Sequence, residues 1–257
     1  MLELIGWHAL IIGEWRAAEG YIGRLEEIAR SLGADRLPVA LLLLRGSLAL
    51  YRGEWPQATE DFEEAERVAL GTQDPVWRAV QDKLAARDLA TGHPKAAVSR
   101  TERFGNDLDS DAAWGRLVDH AEAHLRVGNL ERAEEIVAQA LARFQSRDDR
   151  LRQTELLRVQ GMLLAEHERW QEAEAAFAEA ISLAHRLPYP YLEASSLYEI
   201  GTMLARRGDL EGGSSRLAEA LEIFRRLGAR KDVERTELAL AELARKEPDH
   251  VRDHWWS

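Results

Sequence analysis

The chain has 257 residues, 46% of them hydrophobic and 31% charged, a balance that excludes wholesale disorder. Acidic residues number 45 against 34 basic ones, and the net charge of -11 disfavours a nucleic-acid backbone or an anionic membrane as the main partner. Cysteine is absent, which excludes disulfide frameworks, thiolate zinc sites and cysteine nucleophiles.

The first apolar stretch, Leu4 to Ile12, is broken by His8 and is too short to span a bilayer. Glu3 precedes it and no basic segment does, so a secretory signal is not expected and the cytoplasm is the expected compartment. Six turns then punctuate the chain: Gly13-Glu14-Trp15, Gly53-Glu54-Trp55, Gly92-His93-Pro94, Gly128-Asn129-Leu130, Glu168-Arg169-Trp170 and Gly208-Asp209-Leu210. They recur every 36 to 40 residues, the signature of a repeat architecture.

Seven residues before each turn stands a small residue: Gly6, Gly46, Ala85, Ala121, Gly161 and Gly201. Five residues after it stands another: Ala18, Ala58, Ala97, Ala133, Ala173 and Gly213. Two antiparallel helices approach closely only where side chains are small, so these pairs mark helix crossings within hairpins. Nine residues after the turn comes a large apolar residue (Ile22, Phe62, Val137, Phe177, Leu217), with Thr101 as the exception. The predicted repeats cover 1–35, 36–75, 76–111, 112–150, 151–190 and 191–231, within one domain over 1–248. A lone helix over 232–247, with Glu234, Arg235, Glu237, Glu242 and Arg245 facing solvent, is expected to cap the stack, and 249–257 reads as a tail. Each hairpin is expected to bury its face only against its neighbours.

This pattern resembles the tetratricopeptide repeat, in which a small residue late in the first helix is followed by a turn and then by Ala, an aromatic and Ala in the second. The match is strong in repeats two, five and six, and weaker in repeat three, where Phe104 fills a small site. A period near 40, longer than the usual ~34, resembles the helical regions of bacterial signalling ATPases and of maltose-activator-type transcription regulators. It also resembles repeats found behind bacterial nucleotide cyclases. The resemblance implies an all-α, right-handed superhelical solenoid of six helix-turn-helix hairpins plus the capping helix. It also implies repeats that bind an inducer, a regulatory protein or another part of the same chain.

Catalytic and cofactor signatures are missing: no phosphate-binding GxxxxGK[ST], no GxSxG and no HExxH occur. Gly212-Gly213-Ser214-Ser215 is the nearest Gly-rich segment, and its second glycine fills a crossing position. His120 and His124 have ligand spacing, but Glu122 points to another face and both histidines fall at packing positions, so no metal is expected. His250 and His254 share that spacing in the tail, beside Asp249 and Asp253, and Trp255-Trp256 could dock on the stack or anchor a partner. Trp15, Trp55 and Trp170 are expected to brace their hairpins in the core, and Glu60, Asp61, Glu63, Glu64 and Glu66 to form a solvated face.

First helices line the concave side in the resembled architecture, which places Trp7, Leu43, Ser47, Tyr51, Asp82, Glu122, Arg158, Met162, Tyr198 and Thr202 on the groove wall. The repeated Lys and Asn of a peptide-carboxylate clamp are missing from these positions. The mixture of aromatic, apolar and both charge signs suits a protein or peptide, with Arg158, Met162 and Tyr198 converging. The expected function is a non-catalytic, cofactor-free binding scaffold or regulatory module. The alternative is a small-molecule sensor region of a larger bacterial regulator. An apolar edge at Leu4, Ile5, Ile11 and Ile12, uncovered by any upstream helix, is an expected surface for self-association.

Overall fold

The computed structural model describes residues 1–72, 76–102, 114–146 and 148–246. Phe104 and the whole 249–257 tail, with His250, His254 and Trp255-Trp256, lie outside them. The described residues form thirteen helices and no strand. Six hairpins pair α1 (Leu2–Ile11) with α2 (Trp15–Ser31), α3 (Val39–Arg52) with α4 (Trp55–Thr72), and α5 (Trp77–Ala90) with α6 (Pro94–Glu102). They continue with α7 (Trp114–Arg126) and α8 (Leu130–Ser146), α9 (Arg150–Glu166) and α10 (Trp170–Arg186), and α11 (Pro190–Arg207) and α12 (Leu210–Leu227). A last helix, α13 (Arg230–Lys246), follows.

All six expected turns are present, and each places one residue in the left-handed backbone region. Five of these are glycines, from Gly53 at φ 77° to Gly208 at φ 99°, while the fifth turn uses Glu168 at φ 58°. A side chain there clashes with its own carbonyl, so glycine is the default. Glu168→Gly is therefore expected to stabilise the chain by ~0.5–1 kcal/mol. The midpoint of thermal unfolding checks this, and an unchanged or lower midpoint contradicts it.

The crossing sites are as close as the small residues suggest. A Cβ on Gly201 would lie 3.1 Å from the Gly213 carbonyl oxygen, and one on Gly46 or Gly161 would meet the ring of Phe62 or Phe177 at 2.5 or 2.7 Å. The glycines make room for those phenylalanines, which are fully buried. Successive first helices α1, α3, α5, α7, α9 and α11 also touch one another, forming the inner wall of a curved stack.

Four expectations are corrected. Asp61 is not on a solvated face: it is 1% exposed and accepts bonds from Arg45 at 2.6 and 3.0 Å, while Arg45 also reaches Glu26 at 2.5 Å. Arg45 thus ties α2 and α4 to α3, and the acidic run is solvated only around it. Trp15 is 3% exposed and braces its hairpin by donating from Nε1 to the Leu10 carbonyl at 3.1 Å. Trp55 and Trp170, however, are half-buried beneath Lys231 and Arg206. At the N-terminal edge Leu4 is 69% exposed and Ile5 is exposed, but Ile11 and Ile12 are half-buried.

The fourth correction concerns the ends. Contacts are not confined to neighbouring hairpins, because curvature over six hairpins brings the first two against the last. Trp15, Tyr51, Tyr191 and Phe224 form one aromatic chain, with Tyr51 and Tyr191 rings 4.6 Å apart. A Cβ on Gly13, which has φ 81°, would sit 2.5 Å from Pro190 Cγ. Arg230 bonds Glu54 at 2.5 Å across 176 residues of sequence. Helix α13 therefore contacts hairpin two as well as the last repeat, and Arg235, expected in solvent, lies half-buried over the Tyr198 ring at 4.2 Å. Among the described residues no helix is long and apolar enough to cross a membrane.

Candidate functional site

The closed curve encloses a channel whose wall is charged rather than apolar. From α7, α9 and α11 come Glu122, Arg126, Arg158 and Glu199, two of each sign. Arg158 donates to Glu122 at 2.5 Å, Arg126 to its other oxygen at 3.1 Å, and both arginines approach Glu199, at 3.9 and 3.6 Å. Burial by itself raises the Glu122 carboxyl, but Arg158 and Arg126 outweigh it and hold the group down at about 2.

A second cluster lies around Lys83 and Asp82 of α5, Asp119 of α7, and Arg152 and Glu155 of α9. Arg152 bonds Glu155 at 2.7 Å, and Lys83 Nζ sits 5.2 Å from the Trp7 ring centre. These side chains are half-buried, deep in the channel yet reached by water. Burial, with Glu155 and Asp82 adding repulsion, pushes Asp119 up to about 8 from its ordinary 3.8. The folded state then holds this proton more tightly than the unfolded one. Its contribution to stability is complete below pH ~4 and is lost as pH rises towards 8. Asp119→Asn is expected to flatten that decline and to stabilise the chain at pH 8, read from urea unfolding at pH 5 and 8. Equal pH dependence in both proteins contradicts the assignment.

The ten residues expected on the groove wall separate into two groups. Leu43 is core, packed in a cluster with Val39, Leu42 and Phe62, and Met162 is buried in another. Ser47 is buried with no hydrogen bond from its Oγ. Trp7, Tyr51, Asp82, Glu122, Arg158, Tyr198 and Thr202 sit along the inner wall or on the aromatic seam. Arg158 and Met162 meet, Nη1 to Sδ at 3.2 Å, whereas Tyr198 is covered by Arg235 of α13. Met162 and Thr202 line a cavity of about 430 Å³ with Leu125, Arg126, Glu199 and Arg206. A wider opening of about 800 Å³ lies at the closure, where Arg16, Arg52, Arg225, Arg226 and Arg230 surround Trp15 and Glu14.

Sequence reasoning missed Lys83, Asp119, Arg126, Arg152, Glu155 and Glu199. Part of the signal was present: extending the inner stripe by one helical turn from Arg158 and Glu122 reaches Glu155 and Arg126. The arginines of the wider opening come from opposite ends of the chain and carry no local signal.

No family model and no curated protein sequence matches the chain. Solved structures do. A Rap protein complexed with Competence and Sporulation Factor superposes with a TM-score of 0.73 at 14% identity, over 97% of this chain and 71% of that one. NprR in complex with its cognate peptide NprX gives 0.63 at 15% identity, over 98% and 75%. BtubC from P. vanneervenii gives 0.53 at 20% identity, over 79% and 88%. The fold is that of the tetratricopeptide-type helical repeat.

Proposed function

We propose that this chain is a non-catalytic regulatory scaffold of the cytoplasm that takes a short peptide or protein segment into its channel. The observation that carries the reading is the inner wall itself, where paired charges of both signs and aromatic rings surround a water-reached channel. Such a wall suits a peptide, whose backbone and side chains present donors, acceptors and apolar groups together. Rap and NprR, similar in fold, were each solved in a complex, in NprR's case with its cognate peptide.

A small-molecule sensor is the second reading, favoured by the cavity beside Met162 and Thr202, whose volume falls in the range of small-ligand pockets. One variant tests both. Thr202→Trp fills that cavity from a half-buried position without removing a charge. Peptides selected from a displayed random library, and compounds selected from a metabolite library by thermal shift, would be titrated against both proteins. Loss of peptide affinity by about tenfold or more (about 1.4 kcal/mol) is expected. Peptide affinities unchanged in a folded Thr202→Trp protein overturn the channel reading, and a library that yields only compounds favours the sensor.

A further inference from the structure

We propose that Glu102, His120 and His124 form a zinc-type divalent metal site that staples α6 to α7. The two histidines are four residues apart on α7, so their side chains share one face of the helix. Their Nε2 atoms are 3.0 Å apart, and the His124 Nε2 is 3.7 Å from Glu102 Oε1. One ligand atom from each of the three residues lies within 4.8 Å of the others. A tetrahedral ion with bonds of ~2.0–2.1 Å holds its ligand atoms about 3.3 Å apart, between the two separations seen here. Of the carboxylates nearest in sequence, Asp119 belongs to the cluster of Lys83, Arg152 and Glu155 and Glu122 is committed to Arg158 and Arg126, so the third ligand comes from the preceding hairpin.

The surroundings suit a cation. Both histidines are buried. Glu102 is 58% exposed in its side chain, which gives an ion a path from solvent. Two imidazoles and one carboxylate, with a fourth position open to water, form a donor set for zinc rather than for magnesium or calcium.

Among the described residues, a small apolar cluster of Ala85, Ala97 and Ala123, with Leu89 and Val98 packed against it, joins α5, α6 and α7 beside the site.

Titration of the untagged full chain with Co2+ tests the site. The expected result is saturable binding of one ion, with the visible absorption of low-coordinate Co2+, displacement by Zn2+, and a thermal midpoint raised by Zn2+. His124→Gln should abolish that absorption. Glu102→Gln, at an exposed position that spares the fold, should weaken binding by about tenfold or more. His185→Ala, exposed and elsewhere, should change nothing. The proposal is overturned by a folded chain that binds no Co2+ saturably. It is equally overturned by binding that survives His124→Gln, or by unchanged affinity in Glu102→Gln.

Discussion

Trp15→Ala is expected to lower the free energy of unfolding by ~3–5 kcal/mol, the range for deleting a buried large aromatic side chain. The Trp15 ring touches more than its own hairpin. It is stacked at 14° on Tyr51, with ring centres 6.0 Å apart, and lies 6.0 Å from Tyr191 of the last hairpin. Its Nε1 also satisfies the Leu10 carbonyl near the end of α1. Removing it opens a cavity at the seam where the two ends of the stack meet. The variant should therefore show a lower denaturant midpoint and, by small-angle scattering, a larger radius of gyration. Trp55 occupies the same register but is half-buried beneath Lys231, so Trp55→Ala should cost markedly less. Equal costs for the two tryptophans would contradict the burial of Trp15 in the aromatic seam, since Trp55 also lies at the closure but is only half-buried beneath Lys231.

The comparison of these two tryptophans shows how far the sequence can be read. Register within a hairpin is local: a glycine at the crossing, a ring nine residues after the turn and a left-handed residue at the turn all follow from short-range geometry. Gly46 under Phe62 and Gly161 under Phe177 were legible for that reason. Closure was not legible, since the small rotation at each hairpin is not encoded by any one residue and adds up only over the whole stack. The contact of Arg230 with Glu54 is the clearest consequence, and the burial of Arg235 over Tyr198 is another. The inner wall falls between these cases. Its stripe is legible at Glu122 and Arg158, whereas Arg126 and Glu199 join it only through the packing of α7, α9 and α11. Glu102 joined His120 and His124 only through the packing of α6 on α7, which no spacing within one helix can reveal.

Arg158→Ala is expected to destabilise the fold by about 3 kcal/mol, because it leaves a buried carboxylate without its main partner. Glu122 accepts its shortest bond from Arg158, and Arg126, more exposed, compensates only in part. In the native protein Glu122 titrates at about 2 against an ordinary 4.5, so its contribution is present above pH ~4.5 and is lost as pH falls towards 2. Without Arg158 burial acts with less opposition and raises the carboxyl, so this acid-side loss should shrink. The double variant Arg158→Met with Glu122→Gln removes both charges at similar volume and should recover most of the stability, since a buried pair contributes little net of its desolvation. Unfolding by urea at pH 3, 5 and 7 for the native chain, Arg158→Ala and the double variant separates these effects. If the double variant is no more stable than Arg158→Ala, the side chain of Arg158 acts through packing across α7, α9 and α11, and charge pairing is not what holds the channel wall in place.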